Sequence, residues 1–297
     1  VTRPHRAGAA GARGPDLRFH PADPDRAATL SARQVSDYNA HGFIRPIDVF
    51  DASRADEVRA YIDALLDAVL QAGDRRNAYS INAYHLVCRG MYDLAVEPRI
   101  LDCVEDILGP NFVCWGSHLF AKMPGDGKEV PFHQDAVYWP LTPSKTVTAW
   151  LAIDDADVEN AAMAFIPGSH LHGGLEHETL PLDGSRVLGR QVANPGRYGE
   201  PVANELRAGQ MSLHSDLLLH GSGPNRSRRR RAGLTLRYAA ADVRLVDGHD
   251  EWRRWSIHCR GGDPEGFWAD RRRPDGERPE LMADVWGEFD GTPVDAA

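Results

Sequence analysis

The stretch Thr146-Val147-Thr148-Ala149-Trp150-Leu151-Ala152-Ile153 alternates between two kinds of side chain. A period of two puts Val147, Ala149, Leu151 and Ile153 on one face of a strand, and Thr146, Thr148, Trp150 and Ala152 on the other. The run Arg231 to Tyr238 repeats the pattern: Ala232, Leu234, Leu236 and Tyr238 share one face, Arg231, Gly233, Thr235 and Arg237 the opposite one. Ala162 to Ile166 reads as a further strand closed by Pro167-Gly168. Strand signals dominate from 112 to 240. Helical signals come before them: Ser31 caps a short helix ending near Gly42, and Phe43 to Pro46 is extended. Asp51 caps a longer helix with Val58, Tyr61, Ile62, Leu65, Leu66 and Val69 on one face and Gly73 as its stop. A further helical stretch over 91–107 ends at Gly109-Pro110. Helices followed by many strands with Gly/Pro turns predict a mainly β fold, a double-stranded β-helix (jelly-roll, cupin-like) with N-terminal α-helices packed outside.

Residues 1–30 are rich in Arg, Asp and Pro with Phe19 as the lone aromatic, which predicts a mobile arm. Residues 31–297 then form a single domain, with the polar, Gly-rich segment 171–209 as a lid-like insertion. The tail from 248 carries Trp252, Trp255, Trp268 and Trp286, enough anchors to dock it on the body.

The net charge of −9 over 297 residues argues against a nucleic-acid or anionic-membrane partner. Cys88, Cys103, Cys114 and Cys259 show no paired spacing and suit reduced, buried thiols. No run of roughly 18 apolar residues is present. The N-terminus lacks an apolar signal core, so the expectation is a cytoplasmic protein.

Within Pro131-Phe132-His133-Gln134-Asp135, residues two apart on a strand share a face, so His133 and Asp135 can address one ion. Alone, such a triplet reads as two ordinary polar strand residues. His220, in Leu219-His220-Gly221-Ser222, Arg231 at strand phase and Trp150 on a neighbouring strand change that reading. Two imidazoles and one carboxylate can occupy one face of an octahedral iron(II), leaving positions open for co-substrate and oxygen. An arginine offers a bidentate fork to a dicarboxylate.

With these residues in place the chain resembles the phytanoyl-CoA dioxygenase family of iron(II)- and 2-oxoglutarate-dependent oxygenases. The resemblance runs from about Asn82 to about Tyr238. It rests on HQDAVYWPLTPS at 133–144, TAWLAI at 148–153, FIPGSH at 165–170, and HGSGPN at 220–225 with Arg231. It implies Fe(II) held by His133, Asp135 and His220, with 2-oxoglutarate and O2 as co-substrates. Arg231 and Ser222 would meet the distal carboxylate of 2-oxoglutarate, with Gln134 and Trp150 as further contacts. One departure is Asn160-Ala161, where the family commonly shows Asn-Gly; it concerns a turn. The intact Asp135 favours hydroxylation over halogenation, because halogenating relatives carry a small residue there.

Other polar residues divide more evenly. His118, Tyr138, Asn82 and His85 are candidates for the substrate pocket. His214 is either a partner of the metal site or a structural histidine. His170 reads as a turn residue, and His172 and His177 as solvent-exposed. The run Arg228 to Arg231 is a solvated turn ending in one functional arginine. The expected activity is hydroxylation of an unactivated C–H bond in a small polar metabolite of natural-product metabolism. The alternatives are desaturation, epimerisation or cyclisation at the same site, or a non-catalytic cupin-like binding protein.

Overall fold

The computed structural model describes residues 14–72, 81–181, 184–246 and 248–287. Helix α1 (Ala32–His41) starts where the sequence places it. The Ser31 hydroxyl accepts from the Gln34 N–H, the Gln34 side chain answers the Ser31 N–H, and Gly42 ends the helix at φ +87°. In α2 (Ala52–Gln71) the Asp51 carboxylate caps Arg54 N–H, and Ala55, Val58, Ile62, Leu65 and Val69 form the buried stripe. Gly73, the expected stop, lies outside the described residues. The helix expected over 91–107 is two helices, α3 (Arg89–Ala95) and α4 (Pro98–Leu108). The break has a local cause: Pro98 drives Glu97 out of the helical region, to ψ 120°. A fifth helix, α5, is Met282–Gly287.

The strands among the described residues are, in chain order, β1 Phe43–Asp48, β2 Ile81–Asn82, β3 Phe112–Lys122, β4 Val130–His133, β5 Leu141–Thr142, β6 Thr146–Ala152, β7 Ala164–Phe165, β8 His177–Thr179, β9 Arg190–Val192, β10 Val202–Ala203, β11 Gln210–Ser215, β12 His220–Ser222, β13 Arg231–Ala240, β14 Arg244–Leu245 and β15 Ile257–Arg260. The larger antiparallel sheet runs β1-β11-β6-β13-β3-β15, with β2 also on β3. The smaller runs β10-β7-β12-β4, and together they make the jelly roll. The strand expected over 162–166 shrinks to β7, because Asn160 ties the preceding turn by donating its amide to Asp155 O at 2.7 Å. Ala161 in that turn sits at φ +67°.

Both faces of the larger sheet are used. Val147, Ala149 and Leu151 of β6, with Leu234, Leu236 and Tyr238 of β13, join Val58, Ile62 and Leu65 of α2 and Ile100 and Val104 of α4 in the main core. Each such side chain contributes about 1.5–3 kcal/mol through burial, and this face holds the sheet rigid behind the cavity. The opposite face carries Trp150, Arg231, Thr235 and Arg237, which line an interior cavity.

The N-terminal stretch corrects one expectation. Residues 16–30 lie against the body instead of forming a loose arm, and residues 1–13 lie outside the described residues. Their anchorage is mostly polar. Asp106 accepts the backbone N–H groups of Ala28, Thr29 and Leu30 at 2.8, 2.9 and 2.7 Å, and Asn39 exchanges two hydrogen bonds with the backbone of Ala22. Phe19 packs edge-on against His170. In the tail, Trp255 and Trp268 are buried, and Trp252 packs 5.6 Å from Trp115. Among the described residues no helix is long and apolar enough to cross a membrane.

Candidate metal centre and co-substrate pocket

His133 ends β4 and His220 begins β12, and the two are cross-strand partners in the smaller sheet. Chain-distant residues thereby meet, with ring centroids 4.2 Å apart. Asp135 does not share the strand with His133, as the period-two reading assumed. It opens a 3-10 turn over Asp135–Val137, and that turn swings its carboxylate back to the imidazoles. Its Oδ1 lies 3.4 Å from His133 Nε2 and 3.7 Å from His220 Nε2. One ligand atom from each of the three lies within 4.8 Å of the other two.

The donor set fits a divalent cation. His133 Nδ1 is 2.8 Å from Pro131 O, and His220 Nδ1 is 3.0 Å from Leu218 O. A carbonyl only accepts, so both Nδ1 atoms carry the proton and both Nε2 atoms present a lone pair. Two such lone pairs facing one carboxylate repel unless a cation lies among them. Burial lowers His220 to about 4, which keeps its imidazole neutral and able to ligate.

Arg231, 1% exposed, lies on the cavity face of β13. Its guanidinium carbon is 5.7 Å from the centre of Phe120 and 5.6 Å from Trp150. One Nη approaches Ser222 Oγ at 3.4 Å. The two aromatic rings restrain the guanidinium fork. Arg231, Ser222 and Trp150 therefore come together as expected, and they share one cavity with His133, Asp135 and His220. Of the other arginines of the run, exposed Arg229 pairs with Asp157 and Glu159, and part-buried Arg230 pairs with Asp154 and Asp63.

Other expectations fare differently. Gln134 does not reach the cavity. Its amide donates to Gly173 O and Leu217 O and accepts from Leu175 N–H, pinning the 173–175 loop. His85 is also turned away, on a 3-10 turn; one ring nitrogen meets Ser117 Oγ at 2.7 Å and the other Trp255 O at 2.9 Å. Asn82 pairs in register with His118 but does not line the cavity. His118 does line it. Tyr138 stands 5.8 Å from the His133 ring without lining the cavity itself. His170 is buried, with Nε2 3.1 Å from Asn39 O, and does not line the cavity of the candidate ligands. His177 is not a free surface residue: its Nε2 accepts the Gln134 N–H at 3.1 Å.

Sequence reading passes over Met163, Leu188, Thr235 and Arg237, which also line the cavity. For Thr235 and Arg237 the signal is present, since strand alternation puts both on the face of Arg231. His214, left open between two roles, lines the cavity with its ring 5.1 Å from that of His220. Burial holds it neutral, lowering it to about 3. A larger surface cleft of about 470 Å³, between Phe19 and Glu265, includes none of the three candidate ligands and has no such constellation.

A family profile described as phytanoyl-CoA dioxygenase matches residues 38–233. The peroxisomal phytanoyl-CoA dioxygenase of Bos taurus is 30% identical over 156 residues, covering 50% of this chain and 46% of the relative. A probable alpha-ketoglutarate-dependent hypophosphite dioxygenase of Stutzerimonas stutzeri is 33% identical over 162 residues, covering 54% and 56%. The chain thus spans about half the length of these curated relatives. Among solved structures, the apo form of the non-heme monooxygenase ThoJ superposes with a TM-score of 0.72 at 28% identity, covering 85% of this chain and 93% of that one. The chain belongs to the phytanoyl-CoA dioxygenase family.

Proposed function

From that family membership as premise, we propose that the chain is a hydroxylase, acting on an unactivated C–H bond of a small polar metabolite. Its cofactor is Fe(II), with 2-oxoglutarate and O2 as co-substrates. The observation that carries the reading is the joint placement, in one cavity, of a three-ligand face and a buried arginine. His133, Asp135 and His220 hold the metal through two Nε2 atoms and one carboxylate. When bound, the iron with 2-oxoglutarate and oxygen supplies oxidising power sufficient to break a C–H bond, 2-oxoglutarate being converted to succinate and CO2.

The protein's own residues do the rest. Pro131 O and Leu218 O orient the imidazoles. Arg231 and Ser222 receive the distal carboxylate of 2-oxoglutarate, while Trp150 walls the pocket. Leu188, from the 171–209 insertion, closes part of the cavity. The backbone bonds of Glu129 N–H to Ser185 O and Val187 N–H to Glu129 O hold that segment over β4. We read the insertion as a cover that excludes water from the reacting centre.

The test is a screen of small polar metabolites with the iron-loaded protein, following succinate and oxidised product together. Substrate-stimulated succinate with a product heavier by one oxygen supports hydroxylation. A product lighter by two hydrogens, or an isomer, assigns the same site to desaturation or epimerisation. Absence of any 2-oxoglutarate turnover would leave a binding protein.

A further inference from the structure

The proposed site draws on both sheets. Arg231 and Trp150 come from the larger one, and His133, His220 and Ser222 from the smaller. The arginine fork can meet the far end of a metal-held dicarboxylate only if the two sheets keep a fixed spacing at that end. Lys122, the last residue of β3, joins them there. Its backbone pairs in register with Arg231 on β13, and its side chain crosses to the smaller sheet. Lys122 is 0% exposed. Its ammonium donates to Ser222 O at 3.3 Å, to Lys128 O at 3.0 Å and to Gly223 O. Ser222 ends β12 and is the cross-strand partner of Val130, which opens β4 two residues after Lys128.

Three carbonyls use all three donors of the ammonium, which fixes its direction. Ser222 is thereby held from two sides: its carbonyl by Lys122, its hydroxyl at 3.4 Å from an Nη of Arg231. Lys122 does not itself line the cavity. Satisfying loop carbonyls alone does not call for a buried charge here. Asn225, also buried, does so with a neutral amide, its Nδ2 lying 3.2 Å from Lys122 O, 3.1 Å from Met123 O and 2.7 Å from Arg229 O. At Lys122, burial lowers the pKa to about 7, and Arg231 adds to the fall while Asp126 and Glu129 partly offset it. An ammonium in that position costs stability that a neutral side chain would not.

We propose that Lys122 is a positioning residue for 2-oxoglutarate: it sets the spacing between Arg231 and Ser222, and so the seat of the distal carboxylate, without touching the co-substrate. The inference rests on the iron and 2-oxoglutarate reading. Lys122 acts at the distal end alone, because the metal end is oriented separately, by Pro131 O and Leu218 O on the two imidazoles. A 2-oxo acid without a distal carboxylate, such as pyruvate, has nothing to offer Arg231 and is indifferent to Lys122.

The test titrates the full chain, loaded with iron(II) in the absence of oxygen, with 2-oxoglutarate and with pyruvate in a calorimeter. The readout is the ratio of the two dissociation constants. Lys122→Met keeps the length of the side chain and removes its donors. It should lower the preference for 2-oxoglutarate on the order of tenfold, the worth of one hydrogen bond to a charged group, with pyruvate affinity and iron content unchanged. Asn225→Ala is the control for a merely structural role: it should lower the melting temperature and leave the ratio at its wild-type value. A wild-type ratio in a folded Lys122→Met overturns the proposal. So does an equal fall in Asn225→Ala, or a parallel loss of pyruvate binding in Lys122→Met. If Lys122→Met does not fold, Lys122→Gln, with a shorter and neutral donor, is read in the same way: a reduced preference supports the proposal and a wild-type ratio overturns it. A wild type that binds no 2-oxoglutarate would overturn the oxygenase reading and this inference with it, whereas normal wild-type binding with an unchanged ratio in the Lys122 variants defeats this inference alone.

Discussion

The indole of Trp150 lies flat over Gly233 of the neighbouring strand: a Cβ at 233 would fall 2.1 Å from Trp150 Cζ2 and 2.3 Å from Cε2. The two are close neighbours across the β6–β13 ladder, on the face that carries Arg231. A glycine is therefore required at 233 to let the ring wall the pocket where we place 2-oxoglutarate.

Gly233→Ala should push Trp150 out of that position. Overpacking of this kind costs about 1–3 kcal/mol, and the displaced ring should also weaken 2-oxoglutarate binding. Thermal melting and titration of the iron-loaded protein check both. A variant with wild-type stability and wild-type 2-oxoglutarate affinity would show that the ring can move without consequence.

Arg231→Ala should cost the most in co-substrate binding. Leaving a buried carboxylate without its partner costs about 3–5 kcal/mol, on the order of a hundredfold or more in Kd. Arg231→Lys should recover only part, because one ammonium cannot present two parallel donors. Arg229→Ala, which removes only the exposed pairs with Asp157 and Glu159, should leave 2-oxoglutarate binding unchanged. Equilibrium titration with 2-oxoglutarate compares the three, and an unchanged Kd in Arg231→Ala would move the anchor elsewhere.

Ala161→Gly should stabilise the protein. Ala161 occupies the left-handed region at φ +67°, which costs a non-glycine residue about 1–2 kcal/mol. Glycine gives back about 0.4–1 kcal/mol through the greater freedom of its unfolded chain. A net gain of roughly 0.5–1 kcal/mol is expected in urea denaturation, with no change in metal binding. A loss of stability would mean that the turn relaxes in solution.

Acid should destabilise the metal-free protein well before its carboxylates titrate. Burial lowers His85, His170 and His220 to about 4 and His214 to about 3. Each folded value is below the ordinary histidine value of 6.5, so the unfolded chain binds the proton first. The stability is fully present above pH 6.5 and is lost as pH falls through 4. Asp216 works the other way. Burial pushes it up to about 6, so protonation favours the fold there, but it is one group against four. Denaturation at pH 7.5, 6 and 5 should show a steady decline, and a flat profile would mean these imidazoles are not held neutral.

The parts of the fold that are legible in the chain are those where alternation and burial coincide. In β6 and β13 one face meets the helices and the other the cavity, so a period of two is enough to separate core from site. The candidate metal ligands stand out in the chain because their chemistry is distinctive and their motifs stand in family order, and the structure brings the three together. What escapes are polar residues whose partners are backbone atoms. Gln134 and His85 look like pocket residues by type, yet each satisfies its side chain on carbonyls or hydroxyls of segments remote in sequence. The stretch 16–30 misleads for the same reason: composition measures apolar burial, while its anchorage runs through Asp106 and Asn39 to backbone groups. Arg237 shares the alternation that singles out Arg231 and lacks only a motif to draw attention to it.

The claim on which the rest depends is that His133, Asp135 and His220 together hold one iron(II). Its most direct test is the iron(II) content of the wild type and of His220→Ala after anaerobic reconstitution, with melting of both metal-free proteins as the control for folding. The account predicts about one iron per wild-type chain and close to none in a folded His220→Ala, since two of three ligands do not retain the ion. Equal iron in the two proteins would contradict it.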